Sequence, residues 1–179
     1  MKKNLSKMTK MIAAALVLGV ISFNASAQAI ATATASATIV SPISIAKNVD
    51  MNFGNLSVAS FAGGTVTLDP SVAATRTASG GGGVSLPAIS GTVSAAKFTV
   101  SGQANFTYDI TLPSSASLSG PGAPMLASNF TSSITGGTGT LDGSGTQVFY
   151  VGADLDVAAA QAPGVYTTSG AFLIGVNYN

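Results

Sequence analysis

Asn105-Phe106-Thr107-Tyr108-Asp109-Ile110-Thr111-Leu112 is the stretch whose reading decides the fold class. Phe106, Tyr108, Ile110 and Leu112 alternate with Thr107, Asp109 and Thr111. A period of two places the first set on one face of a β-strand and the second on the other. The pattern predicts a strand over residues 105–112, apolar face to the core and polar face to water. Pro113 stops it, because proline cannot donate to a ladder.

Working outward, similar short runs recur, separated by Gly, Pro, Ser and Asn. Upstream, residues 97–101 set Phe98 and Val100 against Lys97, Thr99 and Ser101, and residues 65–69 turn Val66 and Leu68 inward before Asp69-Pro70. Val84 and Leu86 start a strand after the flexible loop 79–83, Phe53 and Leu56 flank a turn at Gly54, and Ile43 and Ile45 begin a short strand. Downstream, 113–124 reads as loose, Phe130 and Ile134 mark a polar strand, and 136–145 is a second glycine-rich loop. Residues 146–151 and 154–157 read as the two arms of a hairpin. A last strand presents Phe172, Ile174, Val176 and Tyr178 on one face. No long amphipathic helix follows residue 27, and no alternation of strand and helix supports an α/β fold. The predicted architecture is all-β: one immunoglobulin-like Greek-key β-sandwich spanning residues 28–179.

The first 27 residues read differently. Lys2, Lys3, Lys7 and Lys10 precede an apolar run over 11–23, and Ala25-Ser26-Ala27 supplies small residues for cleavage before Gln28. This is the layout of a signal-peptide helix, and the run is shorter than the roughly 20 residues a membrane-crossing helix needs. The expectation is an exported protein with Ala25, Ala27 and Gln28 at the cut and no transmembrane anchor after it. Its place would be the periplasm, the cell surface or the extracellular space of a Gram-negative bacterium.

Removing that segment reverses the charge. The whole chain has 7 basic and 6 acidic residues. Beyond residue 27 only Lys47, Arg76 and Lys97 oppose six aspartates, a net charge of −3. Three scattered cations cannot neutralise a phosphate backbone, so nucleic acid is not an expected partner. Charged residues are 7% of the chain against a usual share of about 25%, while hydrophobic residues reach 46%, a balance that favours folding over disorder.

Cys, His, Glu and Trp are all absent. Without His or Cys, neither serine–histidine nor cysteine–histidine nucleophilic systems can form, and the usual zinc ligands are missing. No catalytic, cofactor-binding or metal residue is assigned, no cofactor is expected, and the chain is not read as an enzyme. Gly80-Gly81-Gly82-Gly83 lacks the Lys-Ser or Lys-Thr of a phosphate loop. Asp142-Gly143-Ser144-Gly145 lacks the later ligands of a calcium loop. Asp154 and Asp156 share one face of a strand and could hold a cation, although a solvated outer face explains them as well. Two aspartates can run glycoside hydrolysis, but no spacing among the six favours a pair.

The two terminal strands are the unusual feature. Ala29, Ala31, Ala33, Ala35, Ala37 and Ile39 form one face of residues 29–40, with Thr32, Thr34, Ser36 and Thr38 on the other. Alanine buries little area, so this strand must add to a sheet edge, its own or a neighbour's. Phe172, Ile174, Val176 and Tyr178 form the matching face at the other end. Both sets are candidates for strand exchange by β-augmentation, and pairing within one chain or between chains is equally open from pattern alone.

Several motifs carry a resemblance. Residues 37–45, then Met51-Asn52-Phe53-Gly54-Asn55-Leu56, Gly64-Thr65-Val66-Thr67-Leu68-Asp69, Thr75-Arg76-Thr77, Phe98-Thr99-Val100-Ser101-Gly102, Tyr108-Asp109-Ile110-Thr111-Leu112-Pro113 and Gly164-Val165-Tyr166 occur in order. Together they resemble a family of secreted bacterial domains known as domain of unknown function four-four-zero-two. The layout is more distantly similar to the spore-coat-U-type pilins of chaperone-usher systems. That likeness implies that residues 28–40 are a donor strand and that a periplasmic chaperone caps the last strand. Ser41 and Pro42 stand where such pilins commonly carry a disulfide cysteine.

The resulting expectation is an exported structural or adhesive surface protein, a pilin-like subunit that self-assembles by strand donation. The alternative is a secreted, monomeric polysaccharide-binding module using Asn, Ser, Thr and Asp in its loops.

Overall fold

The computed structural model describes residues 28–168, 170 and 172–179. Residues 1–27, read above as a signal segment with Ala25 and Ala27 at its cut, lie outside the described residues.

The chain is all-β, built as a sandwich of curled antiparallel sheets. Among the described residues thirteen strands follow in order: β1 Ser44–Val49, β2 Ser57–Val58, β3 Gly64–Leu68, β4 Arg76–Ser79, β5 Val84–Ser85, β6 Ala96–Ser101, β7 Thr107–Thr111, β8 Ser115–Ser119, β9 Met125–Ser132, β10 Thr138–Thr140, β11 Thr146–Val157, β12 Thr167–Thr168 and β13 Gly175–Tyr178. The main sheet runs β1-β6-β11-β9-β8-β12, with β3 and β4 joined to it through β11. A second sheet, β10-β7-β13, covers one end, and β2 pairs with β5.

Alternation places the side chains as the sequence predicts in β3, β6 and β7. Val66, Leu68, Val100 and Tyr108 have no exposed surface, and Phe98 is buried. Phe98 stacks on Phe149 with ring centroids 5.4 Å apart. Burial pushes the Tyr108 phenol up to about 12, and its hydroxyl donates to Gln147 Oε1 at 2.8 Å, so the buried polar atom is satisfied. Phe106 is the exception in its stretch. It lies just before β7, half exposed, and meets the Tyr178 ring edge-on at 5.6 Å.

The structure corrects the reading in four places. Residues 146–157 form one continuous strand, not a hairpin. Gly152 and Ala153 are buried at its centre, and a Cβ on Gly152 would run into the Leu68 carbonyl, so this glycine serves close strand packing and not a turn. β11 instead changes neighbours along its length: residues 146–151 pair with β6 and residues 153–157 with β3. Second, β8 lies in the stretch read as loose, and third, β10 lies in the second glycine-rich loop. Both are Ser-, Thr-, Ala- or Gly-rich, and their ladder bonds need no apolar alternation to form. Finally, residues 28–43 carry no strand, and β1 begins only at Ser44. A face of alanines contributes little burial, so alternation there does not by itself create a strand.

Among the described residues no helix is long and apolar enough to cross a membrane.

Candidate functional site

Two clusters make up the core of residues 39–179. One gathers Val66, Leu68, Met125 and Leu155, and the other Phe98, Val100, Tyr108 and Phe149. Each has members that line a surface opening, Met125 and Leu155 in the first and Ala96 and Phe98 in the second. Ile45 of β1 and Phe172, Ile174, Val176 and Tyr178 of the last strand region pack against the second cluster yet stay only half-buried.

The opening is a groove in two adjoining halves. The narrower half, about 460 Å³, is lined by Ile45, Lys47, Phe98, Phe172 and Ile174. The wider half, about 790 Å³, has Leu118, Met125 and Leu155 among its lining, with Phe53 on one side and Tyr166 on the other. Asp50, Thr168 and Phe172 border both halves. Outer strands border it: Ile45 and Lys47 of β1 and Thr167 and Thr168 of β12 are in its lining, and β1, β12 and β4 are outer strands of the main sheet.

The last strand is tied to the segment before β1. The Tyr178 hydroxyl accepts from the Gln103 backbone N–H at 2.5 Å and donates to the Ser41 carbonyl at 2.9 Å. Ser41 N–H donates in turn to Gln103 Oε1 at 3.3 Å. Since Ser44 pairs with Ser101, these bonds carry residues 41–44 onward alongside residues 101–103, in line with β1.

At the wide end each wall has its own brace. On one side the Tyr166 hydroxyl donates to the Ala162 carbonyl at 2.9 Å and accepts from Gly122 N–H at 2.9 Å. A tyrosine bonded back to the backbone just upstream of a strand is a corner device of immunoglobulin-like sandwiches. On the other side stands the turn of Asn52-Phe53-Gly54-Asn55. Gly54 sits at φ 68, favourable only to glycine, and its N–H donates to Asn52 Oδ1 at 2.8 Å. Asn55 Nδ2 donates to the Ile89 carbonyl at 3.1 Å, and Asn55 N–H to Ser90 O at 2.7 Å. Arg76 Nη1 donates to the carbonyls of Phe53 at 2.5 Å and Asn55 at 2.9 Å. These contacts were invisible to sequence reasoning. The only signal was that both segments belonged to the same ordered set of motifs.

The strand-exchange residues divide between two places. Phe172, Ile174, Val176 and Tyr178 border the groove or pack on the core beside it. Ala29, Ala31, Ala33, Ala35, Ala37 and Ile39 lie in the exposed segment without strand structure.

Carboxylates elsewhere are satisfied by neighbours. Thr67 Oγ1 donates to Asp154 Oδ1 at 2.6 Å, Asn129 Nδ2 to Asp154 Oδ2 at 2.9 Å, and Thr65 Oγ1 to Asp156 Oδ1 at 2.8 Å. Asp142 closes its own turn, accepting from Ser144 and Thr146, and those bonds lower its carboxyl to about 2. Lys47 and Asp50 form an exposed ion pair at 2.5 Å on the groove wall. Among the described residues no three acidic, His or Cys side chains gather as metal ligands would.

Fold and groove together define an antiparallel β-sandwich with outer strands beside a surface groove of mixed apolar and polar lining. The chain belongs to the family described as Domain of unknown function (DUF4402), which matches residues 43–178. No curated protein and no solved structure matches it.

Proposed function

We propose that this protein is an exported structural or adhesive subunit, pilin-like in design, that assembles by donating residues 28–40 to the groove of a second copy. The observation that carries the reading is the groove itself. Core side chains lie half-covered between outer strands whose backbone edges can accept another strand. The exposed segment has the complementary pattern: small apolar residues on one face, Thr and Ser on the other. Thirteen residues extend about 43 Å at roughly 3.3 Å each.

Donation between copies is favoured over folding back. Ser41 is held in line with β1 by Gln103 and Tyr178. A return into the same groove would need a reversal close to Ile39 and Val40, two β-branched residues where turns favour Gly, Asn or Asp. The polysaccharide-binding alternative draws less support, because the Asn52 and Asn55 amides at the wide half are already bonded within the turn or to the nearby backbone.

Sedimentation of the full chain beside a variant lacking residues 28–40 tests the reading. The full chain is expected to form concentration-dependent oligomers, and the shortened one to be monomeric and less stable. Equal stability and equal size would remove strand donation, and binding to a glycan array would then favour the alternative. N-terminal sequencing of the exported protein should begin at Gln28.

A further inference from the structure

We infer that Arg76 is a positioning residue for the groove: it holds the lip of the wide half in the shape that receives the incoming strand. The inference rests on the strand-donation reading and adds a residue to it.

Arg76 starts β4, while the turn it grips lies between β1 and β2. One guanidinium nitrogen spans two carbonyls two residues apart, Phe53 O and Asn55 O, bracketing Gly54. Among the described residues the guanidinium meets these backbone oxygens and no carboxylate. A cation used this way serves geometry: charge-assisted bonds to carbonyls are shorter and stronger than neutral ones.

The lip borders the ligand space directly. Asn52, Phe53, Gly54 and Asn55 line the wide half, whereas Arg76 is not among its lining residues. Arg76 therefore acts through the turn. The turn is also intolerant of adjustment, since a Cβ on Gly54 would run into the Ser90 carbonyl and crowd Val93. Phe53 is buried from this same turn, so the lip is fixed from the core side as well. If the lip relaxed, only a fraction of molecules would present the receiving shape, and apparent affinity would fall by that fraction.

The test uses the full-length chain with its own donor disabled by Ala33→Asp and Ala35→Asp, titrated with a fluorescent peptide of residues 28–40. The parent should capture the peptide. Arg76→Met should weaken capture by about tenfold, chiefly through slower association, while Arg76→Lys, which keeps a cation near the carbonyls, should lose less. Gly54→Ala, which distorts the same lip from a different residue, should behave like Arg76→Met. These are read at temperatures where each variant is folded by circular dichroism, so lowered stability alone does not mimic the effect. Undiminished capture by folded Arg76→Met would overturn the role of Arg76 and leave strand donation standing. No capture by the parent would overturn both.

Discussion

β11 and β13 carry much the same alternating pattern and meet different fates. Over residues 151–156 β11 has neighbours on both edges, β9 on one and β6 then β3 on the other, and Val151 and Leu155 are at most 1% exposed there. β13 pairs with β7 and is an outer strand of its sheet, and Val176 and Tyr178 remain half-buried. Alternation specifies which face a strand turns inward. It does not specify how many edges are paired, and the difference between these strands is one of edges. The first strand is enclosed in its sheet and the second keeps one edge without a ladder partner.

The largest effect that sharpens this contrast is expected in β11. Phe149→Ala removes a fully buried ring stacked on Phe98 and should cost about 3–5 kcal/mol by urea unfolding. The equivalent change just before β13, Phe172→Ala, removes a half-buried ring that contacts Phe130 at 5.2 Å. It should cost about 1 kcal/mol in a chain whose donor is disabled, and more once the peptide of residues 28–40 is bound. Equal costs in both states would show that the groove stays empty.

Tyr178→Phe should come next. It deletes the hydroxyl that joins Gln103 to Ser41 and keeps the ring against Phe106, for a loss of about 1 kcal/mol. Faster amide exchange near residues 41–43 would report the loosened tie, and unchanged exchange would show that the hydroxyl fixes nothing.

The smallest effect concerns pH and lies away from the groove. Hydrogen bonds from Ser144 and Thr146 lower the Asp142 carboxyl to about 2. A folded value below the unfolded one stabilises the fold above the ordinary aspartate range, and that contribution is lost as pH falls toward 2. Asp142→Asn should flatten this acid-side dependence slightly and leave the groove untouched. An identical acid profile in both proteins would refute the assignment.

The parts of the fold that sequence revealed are those where packing enforces alternation. Val66 and Leu68, Phe98 and Val100, and Tyr108 were readable because one face is buried and the other wet. β11 was misread because Gly152 resembles a break, when its missing side chain serves close approach to Leu68. β10 was missed because a Thr-Gly-Thr strand leaves no hydrophobic trace, and β8 because its alternation is short and shallow, with only Ala116 and Leu118 turned toward the core. At the site, the apolar face of residues 172–178 was legible. The grip of Arg76 on Phe53 and Asn55 was not, because a side chain bonding carbonyls more than twenty residues away leaves no local pattern.

The most direct test of strand donation uses the absence of cysteine from the chain. Ala35→Cys in one preparation and Leu173→Cys in another take a donor and an acceptor fluorophore, Leu173 being 82% exposed and so open to labelling. The two are mixed unfolded and refolded together. Strand donation between copies predicts energy transfer that rises with concentration and disappears when residues 28–40 of an excess unlabelled peptide compete. No transfer at any concentration, or transfer confined to a control chain carrying both Ala35→Cys and Leu173→Cys, would contradict it.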